Sequence, residues 1–374
     1  MANETYDCAI VGGGLAGLTL AIQLADSGRT VVLFEKEQYP FNKVCGEYIS
    51  MESHSFLERL GLNISGFDIP YITELKVSAP NGNSFTRKLD LGGFGISRYT
   101  LDSQLAQIAV KKGVSLLEKT KVTDVTKDGN NSLVKANSQD YGARLVCGSF
   151  GKRASLERSL GRDISKGEKN YVAVKYHVKA DLQANRIELH NFENGYCGIS
   201  KVDGDKYCLC YLTSSENLSK SGNSIKEMEK NIVMQNPFLK KYFTESTFLC
   251  NEPVTISQVT FKSKSRVNNG VIMLGDASGT IAPLCGNGMS MAMRASYIAA
   301  GLINNFLVGT ISRDQLYQQY QGQWNSNFSN RIKIGGMIQG LFGKNSLTNI
   351  SIGFFKAFPF AADKVISMTH GETF

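Results

Sequence analysis

The sequence has few of the residues that build metal centres and disulfide frameworks. Its 374 residues include only four histidines, and its eight cysteines form no CxxC pair and no spacing typical of metal ligands. Such a set favours free thiols in a reducing compartment over a disulfide framework or a zinc site. We therefore predict a cytoplasmic protein without a bound metal.

Long hydrophobic runs are also lacking. No stretch of about 18 uninterrupted apolar residues occurs, so a membrane-spanning helix is not expected. The composition is that of a globular protein, with 42% hydrophobic and 20% charged residues. The net charge of +8 is spread along the chain, and no nucleic-acid-binding module is recognisable. We expect no nucleic-acid partner.

The most informative stretch lies near the N-terminal end, where a short β-favouring run stops at Gly12-Gly13-Gly14-Leu15-Ala16-Gly17. In such a turn, Gly12 permits the tight bend, Gly14 lets a phosphate approach the backbone, and Gly17 lets the following helix pack closely on the strand. The first N–H groups of that helix, around Leu15 and Ala16, then bind a pyrophosphate.

A second predicted strand ends at Glu35, 18 residues after Gly17, with Lys36 beside it. A carboxylate at this position can accept hydrogen bonds from an adenosine ribose. Strand, glycine turn, helix and acid together predict dinucleotide binding. The alternative is a glycine-rich turn in an ordinary α/β protein.

A second glycine-rich segment follows the predicted buried strand 271–274. Ligands bind at the carboxyl ends of parallel strands, which places Asp276 to accept hydrogen bonds from a sugar-like hydroxyl. The N–H groups at Gly288 and Met289 would face an electron-rich atom from the start of a helix. The alternative is a strand, turn and helix without a role in binding. The residues predicted to form this site are Gly275, Asp276, Pro283, Gly286, Asn287, Gly288 and Met289.

Between residues 168 and 262 the pattern changes to several β-favouring runs separated by turn signals, which predicts an antiparallel sheet. We expect an α/β protein in which a Rossmann-like parallel sheet carries an inserted antiparallel substrate domain and a C-terminal helical region. The predicted dinucleotide-binding domain comprises 1–65, 95–160 and 265–305, and the substrate domain comprises 66–94 and 161–264. Residues 306–374 are predicted to pack as helices across both domains.

These motifs resemble those of flavoprotein hydroxylases of the para-hydroxybenzoate hydroxylase type, the group A flavin monooxygenases, and of their relatives the geranylgeranyl reductases. The resemblance extends from residue 5 to about residue 300. It rests on the glycines and acid described above, on Lys43-Val44-Cys45-Gly46-Glu47, on Arg98-Tyr99-Thr100-Leu101-Asp102, and on Gly275-Asp276 through Gly288.

The resemblance implies FAD, bound through a fold of the glutathione reductase type. Its ADP half would lie on Gly12–Gly17 and Glu35, and its ribityl chain near Arg98 and Asp276. The loop 43–47 would lie beside the flavin ring. The full set implied to bind FAD is Gly12, Gly14, Leu15, Ala16, Gly17, Glu35, Lys36, Lys43, Val44, Cys45, Gly46, Arg98, Val122, Gly275, Asp276, Pro283, Gly286, Asn287, Gly288 and Met289.

Three functions stay open at this stage. The leading hypothesis is a monooxygenase that hydroxylates an apolar aromatic or polyketide-like molecule through a flavin C4a-hydroperoxide. The second is a reductase or desaturase of an isoprenoid or lipid double bond, which Cys45 and Gly279 favour. The third is a flavin-binding protein without catalysis. NAD(P)H is the implied transient electron donor, although Phe150-Gly151 replaces the Asp-Gly pair usual in the family.

Two side chains are candidates for the catalytic face. Cys45 would lie over the flavin, with a buried, inert thiol as the alternative. Tyr196 would line the substrate cavity, with an ordinary cross-strand aromatic as the alternative. The tail 332–366 is rich in phenylalanine and isoleucine, with lysines between them. It predicts packing helices or, alternatively, the mouth of a channel for a small apolar substrate in contact with a membrane surface.

Overall fold

The computed structural model describes residues 5–151, 156–161, 170–259, 264–279, 286–341 and 344–374. Its strands are β1 (Tyr6–Val11), β2 (Val31–Phe34), β3 (Tyr48–Ser50), β4 (Tyr71–Ser78), β5 (Ser84–Gly95), β6 (Ser115–Leu117), β7 (Val122–Asp128), β8 (Asn131–Ala136), β9 (Gln139–Gly148), β10 (Tyr171–Lys179), β11 (Arg186–Phe192), β12 (Gly195–Lys201), β13 (Tyr207–Ser214), β14 (Thr247–Phe248), β15 (Val254–Val259), β16 (Val267–Asn268) and β17 (Val271–Met273). Its α-helices are α1 (Leu15–Asp26), α2 (His54–Arg59), α3 (Arg98–Lys111), α4 (Leu156–Ser159), α5 (Ser215–Lys220), α6 (Ile225–Asn231), α7 (Pro237–Glu245), α8 (Gly288–Leu307), α9 (Arg313–Leu341), α10 (Asn345–Ala357) and α11 (Pro359–Ser367).

The first sheet carries the glycine-rich turn. Its strand order is β16-β17-β9-β1-β2-β6, and β1 runs parallel to both β2 and β9. Cys8 to Val11 are all buried, as expected for a central strand covered on both faces. Helix α1 packs beside α8, where Thr19 Oγ1 and Ser296 Oγ lie 2.6 Å apart. Because sequential parallel strands end at one edge, the turn after β1 and the end of β2 meet there.

The second sheet has the order β14-β10-β13-β12-β11-β4-β5-β3, with β15 also paired to β10. Its pairings are antiparallel except that between β4 and β11, which are separated by a long stretch of chain that includes the first sheet's β6 to β9. Helices α6 and α7 cover one face through a core that includes Met228 and Leu239. The Ser224 hydroxyl caps α6 by accepting a hydrogen bond from Glu227 N at 3.2 Å.

The C-terminal helices join the two sheets. On α9, Trp324 and Phe328 are buried in the core formed by α1 and α8. On α10, Ile352 is fully buried against Val77 of the second sheet. Among the residues that the structure describes, no helix has the length and apolar character needed to cross a membrane. The predicted fold class, a parallel sheet with an antiparallel sheet and a C-terminal helical region, is confirmed.

Candidate active site

The turn after β1 is built so that only glycine fits at two of its positions. Gly12 has φ of 107°, and a Cβ there would lie 2.5 Å from the Ser149 carbonyl oxygen. A Cβ on Gly17 would lie 2.1 Å from the Gly12 carbonyl oxygen. Both neighbours are backbone atoms, which cannot rotate away. The turn is therefore specified by close packing of α1 on β1 and β9.

Gly14 differs from these two glycines because its surroundings are open. A Cβ there would meet no atom within 4 Å, and Gly14 offers no side chain to cap α1. The first N–H groups of α1, at Leu15 and Ala16, thus begin at an open cradle of the kind that binds a phosphate.

Glu35, at the end of β2, borders the same cradle. Its Oε2 accepts a hydrogen bond from Gly13 N at 2.9 Å, and its Oε1 accepts one from Glu37 N at 3.0 Å. Each carboxylate oxygen has a second lone pair that can accept another hydrogen bond. The Tyr39 hydroxyl donates to the Gly13 carbonyl oxygen. These contacts fix the acid and the glycine turn relative to each other.

Two cations beside the cradle share one buried carboxylate. Arg98 donates two hydrogen bonds of 2.7 Å to Asp102, and Lys43 Nζ lies 2.9 Å from Asp102 Oδ2. Burial alone would raise the pKa of Asp102, but the charges of Arg98 and Lys43 outweigh burial and hold that pKa below its usual value. These three side chains together carry a net charge of +1, which suits an anionic ligand beside them.

A second buried ionic cluster holds the loop 43–47 against the second sheet. Glu47 is fully buried, and it has φ of 57°. Its two carboxylate oxygens accept from Lys175 Nζ at 2.5 Å and from His177 Nε2 at 2.6 Å. Lys175 also donates to the Lys43 carbonyl oxygen at 3.2 Å. Burial opposes ionisation of Glu47, yet the His177 hydrogen bond and the Lys175 charge lower its pKa below the usual value.

Cys45 lies in this loop, with its Sγ 3.5 Å from the Met289 Sδ at the start of α8. The Cys208 thiol donates to the Cys45 carbonyl oxygen at 3.2 Å. Glu47, His177 and Cys208 place their ligand atoms within 4.8 Å of one another, as a metal site would require. However, the Lys175 ammonium is already paired with the Glu47 carboxylate, and burial raises the pKa of the Cys208 thiol. This arrangement is that of a buried ion pair.

The second glycine-rich segment forms the far end of the same groove. A short 3₁₀ turn, Gly275–Ala277, follows β17 and carries Asp276. Helix α8 starts at Gly288 with no acid in its first turn. The Asn287 side chain donates to the Thr369 carbonyl oxygen, and its Oδ1 has no hydrogen-bond partner among the described atoms. Pro283 lies outside the described residues.

One cavity of about 1270 Å³ connects these elements. Single-ligand pockets usually measure about 300–1,000 Å³, so this cavity has room for a dinucleotide and a second molecule. Gly17 and Asn287 are not among its lining residues: Gly17 packs α1 on the turn, and Asn287 anchors the tail. The predicted residues that line it are Gly12, Gly14, Leu15, Ala16, Glu35, Lys36, Lys43, Val44, Cys45, Gly46, Arg98, Val122, Tyr196, Gly275, Asp276, Gly286, Gly288 and Met289.

The opposite wall of the cavity has a different chemistry. Strands of the second sheet and helices α9 to α11 contribute aliphatic and aromatic side chains. None of the described residues that the second sheet adds to this lining carries a charge. The apolar residues of this wall, from the sheet and the helices together, include Leu75, Val77, Phe85, Leu89, Ile187, Leu189, Val254, Ile256, Ile338, Phe355, Val365 and Ile366.

The geometry fits FAD at three places. The open cradle at Gly14 suits a pyrophosphate, the acid at Glu35 suits a ribose, and the uncapped start of α8 suits the electron-rich edge of a flavin. When bound, FAD supplies hydride or oxygen chemistry that amino-acid side chains cannot perform. The residue assignments themselves remain predictions.

Comparison with known proteins decides the family. Residues 5–323 match the profile of the FAD binding domain family. The chain belongs to this family. It is 25% identical to conditioned medium factor receptor 1 of Dictyostelium discoideum, over 91% of this chain and 71% of the relative. It is also 25% identical to digeranylgeranylglycerophospholipid reductase of Methanococcus vannielii, over 86% of this chain and 83% of the relative.

Among solved structures, flavin-dependent brominase Bmp2 shares the fold. The TM-score is 0.80 at 20% sequence identity, over 98% of this chain and 93% of that protein. At this identity the likeness shows the fold alone. The resemblance stated from the motifs is thus confirmed, and the chain is an FAD-dependent oxidoreductase.

Three residues of the site were not predicted from the sequence. Asp102 belongs to a motif that the family resemblance quotes, but the sequence does not predict its ion pair with Lys43. Lys175 and His177 lie 128 and 130 residues from Glu47. Their one sequence signal is that both stand in a strand of otherwise mostly apolar residues, two positions apart and therefore on the same face.

Proposed function

We propose that this FAD-dependent enzyme is a reductase of carbon–carbon double bonds in a long apolar chain of the isoprenoid type. The observation that carries the proposal is the uncharged wall that the second sheet presents to the cavity. An apolar chain gains free energy by contact with such a wall, whereas a charged substrate would lose its hydration there without compensation. The relative from Methanococcus vannielii, named as a reductase of a geranylgeranyl lipid, supports this choice.

In this reaction FAD, when bound in its reduced form, would supply the hydride for one carbon of the double bond. The other carbon would take a proton, for which the Cys45 thiol at the cavity is our candidate donor. The chain's own residues orient and shield the reactants. Glu47, held by Lys175 and His177, fixes the loop that carries Cys45 at the cavity. The apolar wall excludes water from the reacting carbons. We propose NAD(P)H as the reductant that restores the cofactor.

Oxygen-dependent hydroxylation is the second candidate, favoured by polar groups in the same chamber. Tyr196, Ser200 and Thr255 all line the cavity, and their hydroxyl groups offer hydrogen bonds to a phenolic or polyketide-like substrate. An apolar wall that keeps water from the reacting atoms serves this chemistry equally well.

Anaerobic single-turnover measurements separate the two functions. The FAD-loaded protein is reduced with NADPH or, in parallel, dithionite, and is mixed with a geranylgeranyl lipid in detergent without oxygen. We expect the flavin absorbance of the oxidised cofactor to return, with the lipid gaining hydrogen as judged by mass spectrometry. In a parallel sample that contains a phenolic compound in place of the lipid, return of absorbance only after oxygen is admitted, with one oxygen atom added to that compound, would establish the monooxygenase instead.

Two cysteine variants test the catalytic face in the same assay. Cys45→Ser changes a thiol at the predicted flavin loop, and Cys210→Ser changes another thiol that lines the cavity. We expect Cys45→Ser to slow flavin reoxidation by the lipid and Cys210→Ser to leave the rate near that of the wild type. Equal rates in all three proteins would remove Cys45 from the catalytic face.

A further inference from the structure

The outward face of helices α10 and α11 carries apolar side chains that no other part of the described chain covers. Phe360 is 82% exposed, Ile350 69%, Phe358 58% and Phe354 49%. The rings of Phe354 and Phe358 lie 4.9 Å apart. We term Ile350, Phe354, Phe358 and Phe360 the aromatic ridge. Clustered apolar exposure of this kind marks an interaction surface rather than a solvated one.

The inward face of the same two helices is apolar as well. Ile352 is fully buried against Val77, and Phe355 contacts Phe85 with ring centroids 6.0 Å apart. Phe355, Val365 and Ile366 line the cavity. An ordinary surface helix turns a polar face to solvent. These helices instead form a thin layer with the cavity on one side and the aromatic ridge on the other.

The charges around the aromatic ridge indicate what kind of surface it contacts. Between residues 344 and 364, the charged residues are Lys344, Lys356, Asp363 and Lys364. All three lysines are exposed, whereas Asp363 is paired with Arg87 at 3.5 Å. Aromatic residues beside lysines are typical of helices that lie in a membrane interface, with the lysines at anionic headgroups. A symmetric contact between two copies would bring like charges together.

We propose that the aromatic ridge docks this protein on the surface of an anionic lipid bilayer. Helices α10 and α11 would lie along the interface, with the phenylalanine rings at the acyl boundary and the three lysines at the headgroups. The apolar chain would then pass from the bilayer beneath these helices into the cavity, a last step that rests on the proposed function.

The test uses the FAD-loaded full chain and vesicle flotation. We expect the protein to float with vesicles of phosphatidylcholine mixed with phosphatidylglycerol, and to float less with phosphatidylcholine alone. Added salt should weaken binding to the mixed vesicles because it screens the lysines. Replacing Lys356 and Lys364 by Gln should remove most of this salt dependence, whereas Lys111→Gln on α3 should not.

A variant that lacks the aromatic ridge provides the decisive test. Combining Phe354→Ser, Phe358→Ser and Phe360→Ser should lower vesicle affinity by at least about tenfold, because the inserted apolar surface is lost. The matched control combines Val110→Ser and Val308→Ser, which alter residues 53% and 60% exposed on other parts of the surface. Unchanged flavin content and thermal unfolding midpoint in both variants would show that each remains folded.

Several results would overturn docking. They are the absence of binding to either vesicle type, wild-type binding by the ridge variant, or a concentration-dependent dimer in sedimentation that the ridge variant abolishes. If vesicles do not bind but the enzyme reduces a detergent-solubilised lipid, docking fails and the proposed function stands. If vesicles bind through the ridge but no double bond is reduced, docking stands and the proposed function fails.

Discussion

The two walls of the cavity are built on opposite principles. The wall from the first sheet consists of glycines, helix starts and charged side chains such as Glu35 and Arg98, all within short stretches of sequence. The wall from the second sheet and the C-terminal helices consists of uncharged side chains collected from distant strands. The first is suited by position and charge to the anionic cofactor that we predict there, whereas the second offers shape and apolar surface. A fixed cofactor and the apolar substrate that we propose would require this division.

The largest effect on cofactor binding is expected on the first wall, from Gly17→Ala. Its new Cβ would lie 2.1 Å from the Gly12 carbonyl oxygen, so the turn must open. We expect at least about a hundredfold weaker FAD binding, equivalent to about 3 kcal/mol, measured by flavin fluorescence titration.

Gly14→Ala is the matched control, because its Cβ meets no atom within 4 Å. The apoprotein should keep its unfolding free energy, while FAD binding weakens if the pyrophosphate lies at Gly14. Equal losses of stability in both variants would contradict the distinction between a packed and an open glycine.

The largest effect on the free energy of unfolding is expected at the junction of the two walls, at Glu47. Glu47→Ala leaves the buried Lys175 ammonium without its partner, and we expect the free energy of unfolding to fall by about 3–5 kcal/mol. Urea denaturation measures this fall in the free energy of unfolding. Asp205→Ala, between β12 and β13, is the control, because it breaks the exposed pair between Asp205 and Lys179, and Lys179 lies on the same strand as Lys175. It should change stability far less.

The contribution of Glu47 to the free energy of unfolding should also depend on pH. Its pKa is lowered in the folded state, so the unfolded chain binds the proton more readily. The difference in unfolding free energy between wild type and Glu47→Ala should therefore have its maximum value above the ordinary glutamate pKa of about 4.3. It should shrink as the pH falls through the lower pKa of the folded state. A difference that stays constant on acidification would show that the ionised carboxylate is not what stabilises the loop.

The smallest effect is expected on the second wall. Leu189→Asn places an amide in the apolar lining, which costs about 1–3 kcal/mol of binding free energy for an apolar chain. FAD affinity should not change. Leu189→Met, which keeps volume and apolarity, should bind the chain nearly as the wild type does. Titration with a geranylgeranyl lipid in detergent measures both. A weaker FAD complex in Leu189→Asn would show that the two walls are not independent.

The elements that the sequence predicts well are those with strong local signals. The glycine turn between β1 and α1 lies where it was predicted, and strands β10 to β13 lie within the predicted antiparallel region, because alternation and turn chemistry act over a few residues. The Glu47 cluster had no such signal. His177 reads from the sequence as a histidine without an acid partner, yet it lies 2.6 Å from Glu47. Pairing across 130 residues depends on how β10 packs against the loop.

By itself, the sequence determined the cofactor class, because phosphate recognition uses backbone groups whose geometry glycine spacing encodes locally. Only the tertiary structure decided what faces the predicted cofactor site. The uncharged wall, the ion pair beneath Cys45 and the two apolar faces of α10 and α11 arise when segments far apart in the chain pack together. Their chemistry follows from which side chains share a surface, and local spacing does not encode that property.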